Sequence, residues 1–102
     1  MTTKQPRVNG VDRKAKILQV AINLSVEIGY MNISCRAIAD RAGIAHPLIF
    51  YYFKTLSNLK KIIMKTAIKE EILVIILQGL STGDPIALNA PTALKNKAYR
   101  RD

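Results

Sequence analysis

The chain has 102 residues, so we expect one domain with a modest hydrophobic core. Sixteen Lys and Arg against seven Asp and Glu give a formal net charge of +9, which favours an anionic partner, either nucleic acid or a membrane surface. No run reaches the roughly 18 apolar residues of a membrane span, and the polar N-terminus lacks the apolar segment of a signal peptide. The single cysteine, Cys35, excludes an intrachain disulfide and fits a reducing cytoplasm.

The reactive side chains argue against an enzyme. The only histidine, His46, and the only cysteine, Cys35, are separated by a predicted turn and form neither a zinc site nor a nucleophile pair. The sequence has no glycine-rich phosphate-binding loop. We therefore expect no catalytic residue, no metal and no cofactor.

The first segment, Met1–Val11, is interpreted as a flexible basic arm because it combines Pro6 and Gly10 with polar residues and the charges of Lys4 and Arg7. Such an arm can enter a DNA minor groove beside a DNA-binding domain. An uninvolved terminal tail would have the same composition, so both interpretations stay open.

A first helix is predicted over Asp12–Ile28, with Asp12 as its N-cap and Gly29 as its stop. Its apolar stripe consists of Ile17, Val20, Ala21, Leu24 and Ile28. The basic residues at its start, which either touch phosphate or form a solvated face, are Arg13, Lys14 and Lys16. Tyr30 and Ile33 are predicted to pack the corner that follows this helix.

The stretch from Ser34 to Phe53 predicts two short helices and a tight turn. Ser34 can cap the first helix, and Gly43 can end it in a left-handed conformation. Pro47 suits the first turn of the second helix, where its missing N–H costs nothing. Ile49 and Phe53 share one face of that helix. This is the helix-turn-helix arrangement, whose second helix enters the major groove of DNA.

The order and spacing of these residues resemble the DNA-binding domain of the TetR family of bacterial regulators. The residues that carry the resemblance are Arg36, Ile38-Ala39, Arg41-Ala42-Gly43-Ile44, Pro47, Ile49, Phe50-Tyr51-Tyr52-Phe53 and Lys54, with Ile17-Leu18, Ala21, Leu24 and Gly29-Tyr30 upstream. The resemblance implies an all-α fold, in which a three-helix domain precedes a long fourth helix and a short C-terminal segment. It also implies double-stranded DNA as the partner, in the bacterial cytoplasm at the nucleoid.

We divide the chain accordingly into three parts: the arm at 1–11, the helix-turn-helix domain at 12–55, and the fourth helix with a C-terminal dimerisation segment at 56–102. The basic charge is concentrated near the motif. Between Arg36 and Lys69 the chain has seven basic residues and one acid, Asp40. This concentration favours DNA over the alternative that the protein is merely basic and soluble.

The resemblance places the DNA contacts in and around the third helix. The predicted DNA-binding residues are Ser34, Arg36, Ala45, His46, Pro47, Leu48, Tyr51, Tyr52, Lys54 and Lys60. Arg36 can donate two hydrogen bonds to guanine or hold a phosphate, and His46 can bond a base or a phosphate. Leu48 can offer only an apolar contact, for instance to a thymine methyl group. Of the two tyrosines, Tyr51 is the favoured phosphate donor, and one of the pair can instead pack on a neighbouring helix.

Two positions depart from the family's pattern. The family often has a serine cap for the third helix where this chain has Ala45, so that cap is lost. It often has a phosphate-binding lysine where this chain has Leu56. Lys54 is retained, and Lys60 and Lys61 can supply part of the missing charge. The departures put the usual phosphate clamp in doubt but not the fold.

Thr55 is the expected N-cap of the fourth helix. The inward face of that helix is predicted to consist of Leu59, Ile62, Ile63, Thr66 and Ala67. The next six residues, Ile72–Leu77, are all apolar, and three short helices offer no evident core to bury them. We therefore predict a homodimer interface formed by Ile72, Val74, Ile75 and Ile76. A β-strand is the alternative for this run, but continuity with the fourth helix favours a helix.

The C-terminal tail gives weaker signals. Gly79, Ser81, Gly83 and Pro85 predict a break, and 86–90 a linker or short turn. A last helix, Ala93–Arg101 with Thr92 as its cap, is interpreted as either a small dimer strap or a disordered tail. Only about 25 residues follow the fourth helix, too few to enclose a pocket of roughly 300 Å³, so we expect no small-molecule inducer site within one subunit. A regulator without the family's usual ligand-binding domain would fit a plasmid or phage.

The sequence thus predicts a homodimeric transcriptional regulator, a repressor by family analogy, acting on an inverted-repeat operator. The alternative hypothesis is a protein-interaction module that docks on another regulator through Ile72–Leu77.

Overall fold

The computed structural model describes residues 10–100, with side chains from Asp12 onward. Over that range the chain is all-α, with seven α-helices, a 3₁₀ turn at Tyr30–Asn32 and no strand. The helices are α1 Gly10–Ile28, α2 Cys35–Ala42, α3 Pro47–Phe53, α4 Leu56–Glu70, α5 Leu73–Thr82, α6 Pro85–Leu88 and α7 Thr92–Arg100. The all-α prediction is confirmed, and the strand alternative for the apolar run is wrong.

The first helix starts earlier than predicted. α1 begins at Gly10, so Gly10 and Val11 belong to the helix and not to the arm. Asp12 therefore lies in the first turn and is not the N-cap. In the first turn its negative charge still stabilises the helix, because it is close to the positive end of the helix dipole. The rest of the predicted arm, residues 1–9, lies outside the described residues.

The start and end of α2, and so the turn that follows it, are fixed by the two local interactions predicted from the sequence. The Oγ atom of Ser34 accepts a hydrogen bond from the Ala37 N–H at 3.1 Å. Gly43 has φ 72, and the N–H of Ile44 reaches back to the carbonyl of Ala39 at 3.1 Å. This pairing closes the helix and fixes the direction in which the chain leaves it. The predicted roles of Ser34 and Gly43 are confirmed.

One hydrophobic core joins the helix-turn-helix to the C-terminal helices. α1 packs on α2 and α4, α3 packs on α2 and α4, and α5 packs on α1, α4, α6 and α7. The largest fully buried side chains come from both halves of the chain: Ile17, Ile38, Ile49, Phe53, Leu59, Ile63, Met64, Ile75 and Ile76. α1 and α4 thus each contact both the helix-turn-helix and the C-terminal helices. The division at 55/56 stays a prediction.

The fourth helix does not continue into the apolar run. α4 ends at Glu70, and Glu71 takes a left-handed conformation with φ 55. The N–H of Ile72 then bonds the carbonyl of Ala67 at 2.8 Å, and α5 starts at Leu73. The fourth helix is long, at 15 residues, but the predicted continuity of the apolar run with it is wrong, because the turn at Glu71 brings α5 back against α4.

This turn gives the apolar run a core within its own subunit. Ile75 and Ile76 are 0% exposed, since α4, α6 and α7 all pack against α5. The prediction that these two residues form a dimer interface is wrong, because they have no surface left for a partner. Ile72 is half-buried and Val74 is 42% exposed. These two positions remain available to a second copy.

The tail is ordered where the sequence predicted a break, a linker and an undecided strap. Gly79 lies inside α5, and Gly83 ends that helix. The helix α6 occupies most of the predicted linker and is capped by Asp84. α7 begins at Thr92 and buries Leu94 and Ala98, while its Lys97 forms an ion pair of 3.1 Å with Glu71. The disordered alternative is therefore wrong for residues 92–100.

Tyr30 connects the end of α1 to α6. Its hydroxyl lies 3.0 Å from both the Lys60 carbonyl oxygen and the Asp84 Oδ2, either of which can accept its proton. The other carboxylate oxygen of Asp84 accepts the Ile86 N–H at 2.8 Å. Burial, followed by the hydrogen bond and charge of Asp84, raises the pKa of Tyr30, so the hydroxyl remains a donor. Tyr30 and Ile33 are both buried, as predicted.

Gly79→Ala is expected to destabilise the fold. A Cβ at this position would lie 2.8 Å from the Ala87 Cβ and collide with the Met64 methyl group. Overpacking of this kind costs about 1–3 kcal/mol, and the better helix propensity of alanine offsets at most about 1 kcal/mol. Urea denaturation should show a lower midpoint, whereas exposed Ser81→Ala on the same helix should not lower it. An unchanged midpoint for Gly79→Ala would show that α4 and α6 can move apart freely.

Candidate nucleic-acid interface

Helix α3 is fixed by one face and exposed on the other. Ile49 and Phe53 are buried against the core, at 0% and 1% exposure. On the opposite side Pro47, Phe50 and Tyr51 are exposed. The seven-residue helix is therefore fixed by two apolar side chains and presents a continuous outer surface to solvent.

The start of α3 lacks a side-chain cap. His46 occupies the N-cap position with no capping hydrogen bond from its side chain. This agrees with the expected loss of a cap at Ala45. The first turn of α3 is nevertheless hydrogen-bonded. The N–H groups of Leu48 and Ile49 donate to the carbonyls of Ala45 and His46 at 3.0 and 3.1 Å.

The structure separates the roles of the two tyrosines. Tyr51 is 72% exposed, whereas Tyr52 is half-buried against the core. Their rings meet edge to face, with centroids 5.0 Å apart, so Tyr52 supports the ring of Tyr51 from the side. The arrangement favours Tyr51 as the residue that can meet DNA.

A second ring pair lies on the same helix. The rings of His46 and Phe50 have centroids 5.5 Å apart and are tilted by 40°. Phe50 is 45% exposed, which is unusual beside the fully buried Phe53. The outer surface of α3 thus consists largely of rings, and Phe50 was not among the predicted contacts.

Lys54 follows α3 in a strained backbone conformation. It has φ 74 and ψ −56, and the next N–H, that of Thr55, bonds the carbonyl of Phe53 at 2.8 Å. This three-residue turn is rare for a residue with a side chain and costs on the order of 1–3 kcal/mol. It leaves the exposed Lys54 directly at the end of α3 and allows Thr55 to cap α4 through the Asn58 N–H at 3.0 Å. The predicted cap at Thr55 is confirmed.

Residues 17–58 match the model of bacterial regulatory proteins of the tetR family. This segment is a TetR-family helix-turn-helix domain. The match includes most of α1, all of α2 and α3, and the start of α4. No curated protein and no solved structure gives a significant match. The family consists of DNA-binding regulators and not enzymes, so the matched segment is a DNA-binding domain and implies a transcriptional regulator.

Outside the matched TetR-family segment, α1 brings Lys14 to α3. The Lys14 ammonium lies 5.4 Å from the centroid of the Phe53 ring. The sequence leaves Lys14 open between phosphate contact and a solvated face, and Lys14 is not among the predicted DNA-binding residues. Its position could have been recognised, because Lys14, Ile17 and Ala21 follow helical spacing and the lysine extends the buried stripe by one turn.

Leu48 lies at the edge of the TetR-family surface. It is half-buried and lines a cleft of about 510 Å³ between the start of α1 and the α2–α3 turn. Arg13, Lys16 and Gly43 line the same cleft. Two basic residues of α1 therefore lie on the Leu48 side of the recognition helix, where a DNA backbone can pass.

Lys60 is not brought together with the recognition helix. Its ammonium lies 5.2 Å from the Tyr30 ring centroid. It lines a cleft with Leu56 on α4 and with Thr82–Ile86, the segment around the α5–α6 turn. The predicted DNA contact at Lys60 therefore has less support than those at Arg36 and Lys54, which are exposed at the start of α2 and the end of α3.

Two other residues of the TetR-family motif have structural roles. Arg41 forms a two-pronged ion pair with Glu27 on α1, at 3.0 and 2.8 Å. The hydrogen bond and charge of Arg41 lower the pKa of Glu27. Cys35 is buried, and burial raises the pKa of its thiol, which keeps it protonated and unreactive. Over residues 10–100, none of the helices combines the length and the hydrophobicity that a membrane span requires.

Proposed function

We propose that the protein represses transcription at the nucleoid as a homodimer bound to an inverted-repeat operator. The observation that carries the proposal is the exposed outer surface of α3, with Tyr51 72% exposed and the exposed Lys54 directly after the helix. A surface of this kind fits the major groove, where the recognition helix meets base edges and the surrounding cations meet phosphate.

The contacts divide by chemistry. Arg36 at the start of α2 has a planar guanidinium that can hold either a guanine edge or a phosphate. His46 and Pro47 lead α3 into the groove. The hydroxyl of Tyr51 and the ammonium of Lys54 supply phosphate contacts on the exposed side of the helix. Ser34, Ala45, Leu48 and Tyr52 are the neighbouring predicted contacts, with Ser34 engaged as the cap of α2.

The homodimer is supported by the position of α5. This helix packs against α1, α4, α6 and α7, so an interface at its exposed Val74 and half-buried Ile72 would leave α2 and α3 free in both subunits. A two-fold dimer then presents two recognition helices to successive major grooves, which requires an inverted repeat. Repression follows by analogy with the family. The burial of Ile75 and Ile76 restricts the homodimer and the docking-module alternative alike to the surface around Ile72 and Val74.

The test is selection of DNA from a random pool by the pure protein. The expected result is an enriched inverted repeat whose half-site centres lie about one helical turn apart, or slightly more. Light scattering on the complex should show two subunits on each operator. A folded protein that enriches no sequence would contradict the proposal.

Arg36→Ala is expected to weaken operator binding by about 1–3 kcal/mol and to relax the preference at one base pair of each half-site. The reason is that the guanidinium donates two hydrogen bonds to one guanine. The measurement is a repeat of the selection with the variant, together with Kd values on single-substitution operators. The matched control is Tyr51→Phe, which should weaken all sequences alike. If the arginine variant keeps its sequence preference, Arg36 contacts the backbone.

A further inference from the structure

We infer that Phe50, assisted by His46, reads the 5-methyl group of thymine in the major groove and makes operator recognition depend on that methyl group. The inference rests on the proposed DNA-binding function and assigns a specificity-determining role to a residue outside the predicted contacts.

The position of Phe50 is the first argument. Phe50 and Phe53 lie on the same seven-residue helix, yet Phe53 is 1% exposed and Phe50 is 45% exposed. Phe50 lies on the outer side of α3, next to the 72% exposed Tyr51. Covering a partly exposed phenyl ring with a partner lowers the free energy, because apolar surface is removed from water. The partner that meets the outer side of a recognition helix is the floor of the major groove.

The chemistry of the ring is the second argument. Phenylalanine has no hydrogen-bonding atom, so Phe50 can bind neither a phosphate oxygen nor the polar edge of a base. Among the features that base pairs present in the major groove, the apolar one is the C5-methyl group of thymine. Phe50 therefore distinguishes thymine from cytosine and uracil by covering or failing to cover a methyl group.

His46 completes the match with thymine. Its ring lies 5.5 Å from that of Phe50, at a tilt of 40°, which restricts the phenyl ring from one side. An imidazole has at least one N–H donor in either protonation state. Thymine presents the O4 acceptor beside its methyl group, so the two rings together fit both groups of one base edge.

Leu48, the other apolar candidate, is less well placed. It is half-buried in the cleft beside Arg13 and Lys16, so part of its surface is already covered by the protein. A protein partner for Phe50 is disfavoured because the exposed Lys54 follows the same helix, and its charge favours an anionic surface.

The experiment uses the operator obtained by selection. Each thymine is replaced singly by deoxyuridine, which removes only the methyl group, and Kd is measured by fluorescence anisotropy for the wild-type protein and for Phe50→Ala. We expect one position in each half-site at which deoxyuridine weakens wild-type binding by about fourfold, the value of one buried methyl-sized group. Phe50→Ala should bind the thymine and deoxyuridine operators equally. Phe50→Leu, which keeps an apolar side chain, should retain part of the difference.

A gain of binding tests the same point from the other direction. With cytosine placed at the sensitive position, 5-methylcytosine should bind the wild-type protein more tightly than cytosine and should make no difference to Phe50→Ala. The inference is overturned if no deoxyuridine operator differs from its parent, or if the difference persists in Phe50→Ala. If either result is found while the protein still selects an operator and binds it in a salt-sensitive way, the proposed function remains intact. A protein that enriches no DNA would instead overturn the proposed function itself.

Folding of the variants is checked by urea denaturation. Because Phe50 is partly exposed, its substitution should leave the unfolding midpoint close to that of the wild type. If Phe50→Ala nevertheless unfolds, the wild-type deoxyuridine series and the Phe50→Leu variant still decide the question.

Discussion

Ile75→Glu is expected to unfold the protein, whereas Val74→Glu is expected to leave it folded and to convert the proposed dimer into a monomer. The two residues are adjacent on α5, but Ile75 is 0% exposed and Val74 is 42% exposed. A buried carboxylate without a partner costs several kcal/mol, which is comparable with the whole stability of a small domain, about 5–15 kcal/mol. At Val74 the carboxylate stays in water in the monomer and is buried only on association.

Circular dichroism and light scattering separate the two outcomes. Ile75→Glu should lose its helical signal at room temperature, and Val74→Glu should keep it while halving the molar mass. Val74→Glu should also lose most operator affinity, because one half-site alone binds weakly. Val74→Thr is the control, since it changes shape little and adds no charge. A Val74→Glu protein that remains a dimer would place the interface elsewhere on the chain.

The parts of the fold that the sequence predicted correctly are those set by neighbours along the chain. Ser34 and Thr55 each cap the helix that follows them, and Gly43 takes the left-handed conformation that glycine favours. Pro47 stands at the start of α3. Each of these effects involves residues within about one helical turn, so the amino acid type is sufficient to reveal it.

The end of α4 is not marked in the sequence by a glycine or by a capping residue. Glu71 adopts a left-handed conformation that a glycine would usually mark, so the sequence reads as an uninterrupted helix across this point. Once α5 turns back, Ile75 and Ile76 find their burial against α4, α6 and α7. These contacts join segments distant in sequence, and a local apolar pattern shows that burial is needed but not which element supplies it.

The candidate site follows the same division. The buried spacing of Ile49 and Phe53 was visible in the sequence and correctly leaves Tyr51 on the outside. The contact of Lys14 with Phe53 joins α1 to α3, and the packing of Lys60 on Tyr30 joins α4 to the turn after α1, so both depend on tertiary structure. Charge alone could not distinguish these two lysines.

The largest effect on function is expected from salt. Lys14 and Lys54 lie around α3, and Lys16 lines the cleft beside Leu48, so a dimer would offer at least about six cations to phosphate, with a log–log slope of affinity against salt near −5 or steeper. Raising the salt from about 50 to 200 mM should therefore weaken operator binding about 10³-fold, because each neutralised phosphate releases counterions. A slope near zero would show that these residues do not meet the DNA backbone.

Lys14→Gln tests whether the salt dependence of operator binding is set by the position of this charge or only by the total charge of the protein. Each subunit loses one cation, so the slope for the dimer should become shallower by about 2. Lys97→Gln changes the net charge equally, but Lys97 lies on α7 and forms an ion pair of 3.1 Å with Glu71. Its slope should stay at the wild-type value. Equal changes in both variants would mean that the overall charge attracts the DNA, and that the ammonium of Lys14 beside Phe53 makes no phosphate contact of its own.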